Sequence, residues 1–148
     1  MRNANIIISV PFLPPSLNAY RRYHWRVQRK TEAIWKDYIF VKWLELKKPT
    51  YEAVHITLQF YFPDKRIRDM DNYMAMGGKL VGDALKGCFI PDDSPEHLKG
   101  WSFLFGLDRQ NPRTTILIKE VTKNGQSQRD HFGRGALEDP GRIQGYAR

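Results

Sequence analysis

Residues 53–87 read AVHITLQFYFPDKRIRDMDNYMAMGGKLVGDALKG, and they contain a strand that is followed by a helix. Apolar and polar side chains alternate over residues 53–62, which is the period of a half-buried β-strand. The segment PDKRIRDMDN breaks this pattern, and residues 72–86 then favour a helix that ends at Gly87. The sequence therefore predicts that one strand and one helix form the centre of the fold.

The helix predicted over residues 72–86 has a core-facing side and a polar side. At 100° per residue, two sets of residues fall on adjacent faces, one narrow stripe of Asn72, Met76, Lys79 and Asp83, and an apolar face of Tyr73, Leu80, Val81, Ala84 and Leu85. Glycine costs a helix about 1 kcal/mol relative to alanine, so Gly77 and Gly78 indicate close backbone approach or a local irregularity.

The flanking segments complete a small α+β domain. With 148 residues the chain has about the length of one domain, and with 41% hydrophobic residues it has material for one core. Residues 1–121 are expected to form a mixed β-sheet with two main helices, and residues 122–148, which are poor in apolar side chains, a flexible tail. The remaining predicted elements are strands at 5–12, 99–106 and 113–121, a loop at 14–26 and a helix at 28–47.

The helix at 28–47 has apolar residues on two sides. They form two rows, the first with Ile34, Tyr38 and Val41 and the second with Phe40, Trp43 and Leu44. A helix that is apolar on two sides needs two packing partners, and a second subunit would supply one of them. We therefore expect a homodimer.

The charges of the chain are segregated along its length. Residues 1–50 contain ten Lys or Arg and three acidic residues, whereas residues 51–100 contain six basic and eight acidic residues. A basic segment suits a polyanion, and an acidic segment suits a divalent cation. The single cysteine, Cys88, excludes an intramolecular disulfide or a cysteine-based zinc site, and no apolar run is long enough to span a membrane.

Aspartates dominate the acidic segment. If Asp69 and Asp71 continue the preceding strand, their side chains share one face and bracket a cation. The loop that contains Asp92 and Asp93 would return beside them, and Asp83 is a further possible ligand. Repulsion within such a group would raise some of its pKa values, and a hard cation that prefers oxygen ligands, Mg²⁺ or alternatively Mn²⁺, would relieve it.

A carboxylate-held metal ion and a nearby cation are the requirements of phosphodiester hydrolysis. Lys79 would stabilise the negative charge that develops in the transition state or orient the attacking water. The structural alternative is that Asp92 and Asp93 form turn hydrogen bonds while Asp83 forms an ion pair with Lys79.

The predicted DNA contacts lie in two basic segments. The first is the basic and aromatic loop before the helix at 28–47, and the second directly precedes Asp69. Aromatic side chains in the loop would stack on unpaired bases or would instead pack against the sheet. The candidates are Asn18, Tyr20, Arg21, Arg22 and Arg26 in the first segment and Lys65, Arg66 and Arg68 in the second.

Four segments, in this order, resemble the RusA family of Holliday junction resolvases. They are PPSLNAYRR, RDMDN, KLVGDAL and IPDDSPEHL, and they span about residues 10–100. The resemblance implies a RusA-like homodimer in the cytoplasm of a bacterial or phage-infected cell. It also implies a magnesium-dependent endodeoxyribonuclease that resolves four-way DNA junctions by paired symmetric nicks.

The resemblance also implies roles for individual residues. Asp69, Asp71 and Asp93 would be catalytic and would bind Mg²⁺, and Lys79 would match the catalytic lysine of the family. In the best-known family pattern that lysine follows DxDN about one helical turn sooner than Lys79 does here. Asp83 and Asp92 are additional candidate ligands.

Two other functions are compatible with these residues. A DxD pair also occurs in metal-dependent nucleotide-sugar transferases, although 148 residues leave little room for the nucleotide-binding domain of such enzymes. The other alternative is a non-catalytic basic DNA-binding module whose aspartates only form turns.

Overall fold

Four strands form one mixed sheet in the computed structural model, which describes residues 5–122. The sheet order is β1-β4-β2-β3, with β2 and β3 parallel and the other neighbouring pairs antiparallel. The mixed sheet predicted from the sequence is therefore confirmed. The strands are β1 (Asn5–Val10), β2 (Val54–Phe62), β3 (Leu98–Leu107) and β4 (Arg113–Glu120).

Three helices pack with this sheet, namely α1 (Leu17–Arg22), α2 (Trp25–Glu45) and α3 (Met70–Leu85). The two main helices were predicted, but the prediction of a loop at 14–26 was wrong over α1. Ser16 begins that helix because its Oγ accepts a hydrogen bond from the backbone N–H of Ala19 at 3.2 Å. The chain is thus an α+β domain with three helices.

Strand β2 lies inside the sheet, and α3 packs directly on it. Alternate residues of β2 from Val54 to Phe62 are buried, as the sequence pattern predicts. A Cβ atom added to Gly77 would lie 2.5 Å from Cζ of Phe60, whereas one added to Gly78 would lie 3.9 Å from its nearest neighbour. The backbone of α3 therefore approaches its neighbours closely at Gly77, where the neighbour is the side chain of Phe60, and no such close approach occurs at Gly78.

Helix α2 buries Trp35 and Ile39, a pair four residues apart that faces the core. The two predicted apolar rows were therefore wrong in detail, since the core-facing pair belongs to neither row. Four apolar side chains of these rows are exposed, namely Ile34, Phe40, Val41 and Leu44. In β3, Leu104, Phe105 and Leu107 are also exposed. The predicted homodimer stays a prediction.

The connection from β2 through α3 to β3 places the acidic segments. Because β2 and β3 are parallel, α3 must return across the sheet between them. Residues 63–69 therefore lie at the end of the sheet where β2 finishes. Residues 86–97 lie at the opposite end, where β3 begins. Asp69 and Asp71 are thus separated from Asp92 and Asp93 by the length of α3.

Two further expectations concern the chain ends and the membrane. The predicted tail at 122–148 lies outside the described residues except for Thr122. Within residues 5–122, no helix is long and apolar enough to cross a membrane.

Candidate functional site

Asp69 and Asp71 lie at the N-terminal end of α3. Asp69 is the N-cap, and its carboxylate accepts hydrogen bonds from the backbone N–H of Asp71 at 3.2 Å and from Nδ2 of Asn72 at 3.1 Å. The expectation that both aspartates continue β2 was wrong, because capping by Asp69 makes the chain helical from Met70. Both residues are exposed, and the helix dipole favours negative charge at this end.

These two carboxylates differ from the other aspartates in residues 64–93. Across the described part of the chain, neither Asp69 nor Asp71 forms an ion pair. The other four each contact a basic side chain, Asp64 with Arg68 at 2.7 Å, Asp83 with Lys79 at 3.1 Å, and Asp92 and Asp93 with Lys86 at 3.6 and 3.9 Å. Asp69 and Asp71 are therefore the carboxylates of this segment whose charge no basic side chain of the described residues offsets.

Asp92 and Asp93 do not join Asp69 and Asp71 within one chain, so this expected convergence was wrong. Asp93 lies 3.9 Å from Nζ of Lys86, which directly follows α3, whereas Asp69 and Asp71 lie at the start of this 16-residue helix, which spans about 24 Å. Among residues 5–122, no three His, Cys, Asp or Glu side chains are grouped so that they could hold a metal ion. The separation arises because α3 lies between the two segments.

The structural alternatives are confirmed for Asp83 and Asp92. Asp83 forms the expected ion pair with Lys79, and Asp92 accepts a hydrogen bond from the backbone N–H of Asp93 at 2.9 Å. That hydrogen bond, together with the charge of Lys86, lowers the pKa of Asp92 below its ordinary value. Sequence reasoning expected repulsion to raise some pKa values in this group, and this was wrong for Asp92.

Lys79 belongs to a polar network that joins the three helices. Its ammonium lies 3.6 Å from Oε1 of Glu32, which also accepts a hydrogen bond from the hydroxyl of Tyr20 at 2.5 Å. Burial opposes the charge of Lys79, but the hydrogen bond to Asp83 and the nearby negative charges outweigh it and raise the pKa of Lys79. Lys79 is therefore a cation and not a base at neutral pH.

Sequence reasoning missed Glu32. It lies on α2, 47 residues before Lys79 in the chain. No local spacing relates the two positions, because only the packing of α2 against α3 brings them together. The sequence therefore contains no signal that could have identified this contact.

The network predicts a loss of stability at high pH. Burial and the hydrogen bond to Glu32 raise the pKa of Tyr20, as the network raises that of Lys79. A group whose pKa is raised by folding stabilises the folded state at pH values below its unfolded-state pKa. This stabilisation is lost as the pH rises through the folded-state pKa. We expect the free energy of unfolding to fall above about pH 10.

Tyr20→Phe tests this expectation. The variant should lose about 1 kcal/mol at pH 7 and show a shallower decline at high pH, measured by urea unfolding at several pH values. If the free energy of unfolding declines equally at high pH in the unmodified chain and in Tyr20→Phe, then Tyr20 is not the cause of the decline.

A cavity of about 350 Å³ lies between α3 and β3. Lys79, Asp83 and Asp93 line it together with Trp101 and Phe103, whose rings stack at a centroid distance of 5.9 Å. The two aromatic residues were missed as part of a site. Their spacing of two on a predicted strand placed them on one face, but no pattern indicated that this face borders α3.

The predicted DNA contacts divide into exposed and engaged residues. Tyr20 is only 9% exposed, and its hydroxyl contacts Glu32, so its prediction as a DNA contact was wrong. Arg68 is engaged within the chain, since its side chain is 14% exposed, pairs with Asp64 and lies 4.4 Å from the ring centroid of Phe62, and its role as a DNA contact stays a prediction. The exposed candidates are Asn18, Arg21, Arg22, Arg26, Lys65 and Arg66.

Comparison with known proteins does not assign a family to this arrangement. No protein-family model matches the chain. No curated protein matches it either.

Proposed function

We propose that the chain is a magnesium-dependent endonuclease that nicks four-way DNA junctions. The proposal rests on one observation, the two exposed aspartates at the start of α3 that have no basic partner among residues 5–122. It is supported by the resemblance of residues 10–100 to the RusA family and by the exposed cations of α1 and α2.

Asp69 and Asp71 suit Mg²⁺ because their ligand atoms are hard carboxylate oxygens. A bound Mg²⁺ supplies an activated water and neutralises charge on the scissile phosphate. Asp69 also orders the first turn of α3, so its carboxylate has a defined orientation. Lys79 contributes a positive charge, and Glu32 and Asp83 determine where that charge lies.

The position of Asp93 leads us to propose a site shared between two copies. In one chain, Asp93 contacts Lys86 at the C-terminal end of α3, whereas Asp69 and Asp71 lie at its N-terminal end, and no three carboxylates of residues 5–122 are grouped to hold one metal ion. Two copies packed with their α3 helices antiparallel would bring Asp93 of one copy to Asp69 and Asp71 of the other. The exposed apolar side chains of β3 provide a surface for such packing.

A nicking assay tests the proposed activity. We expect the chain to introduce paired nicks in a synthetic four-way junction with Mg²⁺, and to leave a linear duplex of the same sequence intact. Binding of the junction without nicking would instead support a non-catalytic DNA-binding module. Metal-dependent binding of a uridine nucleotide without nicking would support a nucleotide-sugar transferase.

Mixing two inactive variants tests the shared site. The double variant Asp69→Asn, Asp71→Asn and the single variant Asp93→Asn should each be inactive alone. In a mixed dimer, Asp69 and Asp71 of the Asp93→Asn copy meet the intact Asp93 of the double variant, which gives one complete site if sites are shared between copies. Mixing the two variants should therefore restore single nicks. If each site lies within one chain, mixing restores nothing, and the shared site is then wrong.

A further inference from the structure

A basic surface formed by residues 21–30 joins the end of α1 to the start of α2, and Trp25 and Arg29 within it have no role in the predictions above. It contains five basic residues and no acidic residue, and all five are exposed. None of the five forms an ion pair with any residue between 5 and 122, whereas six other basic residues of that range do, namely Lys42, Arg66, Arg68, Lys79, Lys86 and Arg113. Such a concentration of unpaired positive charge is complementary to a polyanion.

Trp25 organises part of this basic surface. Its side chain is 54% exposed, and the guanidinium carbons of Arg26 and Arg29 lie 5.3 and 5.5 Å from its ring centroid. Both distances fall within the range of cation–π attraction. The ring of His24 lies 5.6 Å from that of Trp25, and its Nδ1 accepts the backbone N–H of Arg26.

We propose that Trp25 is a positioning residue that holds Arg26 and Arg29 as a clamp for the phosphodiester backbone of a DNA strand. The two guanidiniums lie within about 11 Å of each other because both contact one ring. Two neighbouring cations repel each other, and an anion bound between them relieves that repulsion. Guanidinium groups also match phosphate oxygens with paired donors.

The clamp rests on the proposed function, since it takes DNA as the polyanion. It adds Trp25 and Arg29 to the predicted contacts and assigns Trp25 a role other than base stacking. The ring already contacts two guanidiniums, so its exposed area is not a free platform for a base. Recognition by the clamp is consequently independent of base sequence.

The test is metal-free binding of a labelled four-way junction to the full chain, measured by anisotropy at several salt concentrations in EDTA. Arg26→Ala and Arg29→Ala should each weaken binding and reduce the slope of log K against log salt by about 1. Trp25→Ala should weaken binding roughly fivefold, whereas Trp25→Phe, which keeps an aromatic ring, should stay within about twofold. Val27→Ala and Lys119→Ala serve as exposed controls and should bind as the unmodified chain does.

Several results would overturn the clamp. The first is an unchanged salt slope in both arginine variants. The second is an equal loss of binding affinity in Trp25→Ala and Trp25→Phe. The third is a loss of affinity in Trp25→Ala for single-stranded DNA but not for duplex arms, which would indicate base stacking. Binding to phosphatidylserine vesicles without DNA binding would assign the surface to a membrane instead.

The clamp and the nuclease fail separately. Salt-dependent binding with no nicking by the unmodified chain in Mg²⁺ leaves the clamp intact and removes the nuclease. Nicking that depends on Asp69, together with normal DNA binding by the Trp25 and arginine variants, supports the nuclease and contradicts the clamp.

Discussion

Replacing Asp69 with asparagine is expected to reduce Mg²⁺-dependent nicking of a four-way junction by roughly 1,000-fold. The estimate follows because charge stabilisation by a bound metal is worth several kcal/mol, and each 1.36 kcal/mol changes the rate tenfold. Initial nicking rates on a labelled junction measure the effect. Asp71→Asn should cause a loss of similar size, because its exposed carboxylate likewise has no basic partner among the described residues.

The choice of asparagine separates chemistry from folding. Asp69 is the N-cap of α3, and asparagine is about as good an N-cap as aspartate, so stability should change little. Asp37→Asn, at an exposed position on α2, is the matched control and should retain full activity. Full activity of Asp69→Asn in a folded protein would contradict the proposed metal centre.

Replacing Gly77 with alanine is expected to lower the free energy of unfolding by about 1 kcal/mol. The new Cβ would lie 2.5 Å from Cζ of Phe60, whose side chain is fully buried between α3 and the sheet. Overpacking of a core costs about 1–3 kcal/mol, and the gain of about 1 kcal/mol in helix propensity offsets only part of it. Urea unfolding followed by circular dichroism measures the change.

Gly78→Ala is the matched control for this prediction. It makes the same change one residue later in α3, where the nearest atom to the new Cβ is 3.9 Å away. Without a clash, the helix propensity of alanine should raise the free energy of unfolding by up to about 1 kcal/mol. Equal effects of the two substitutions would mean that α3 does not pack against Phe60 as described.

The elements of the fold were largely predictable because their signals are local. The alternation from Val54 to Phe62 requires only neighbouring residues to specify a strand with one buried face. The helical pattern before Gly87 is equally local. Helix α1 was missed because Tyr20 and its basic neighbours suggested a binding loop, whereas capping by Ser16 and burial of Tyr20 favour a helix.

The sequence could nominate candidate residues for the site one by one, but it could not give their arrangement. The sequence predicted Asp69, Asp71 and Lys79 as site residues, and the structure leaves the two aspartates exposed and without a basic partner in the described range. It could not show that Glu32 contacts Lys79. It also could not show that Asp69 would cap a helix instead of extending β2.

By itself, the sequence determined the order of the main strands and helices, the segregation of charge and the chemical types available for a site, since each follows from composition or from spacing over a few residues. Only the tertiary structure decided that Asp93 lies far from Asp71, that Tyr20 is buried and that two guanidiniums gather around Trp25. The physical reason is that local periodicity specifies which face a residue occupies. Distances between segments depend instead on how α2 and α3 pack, and on the length of α3 between the two acidic segments.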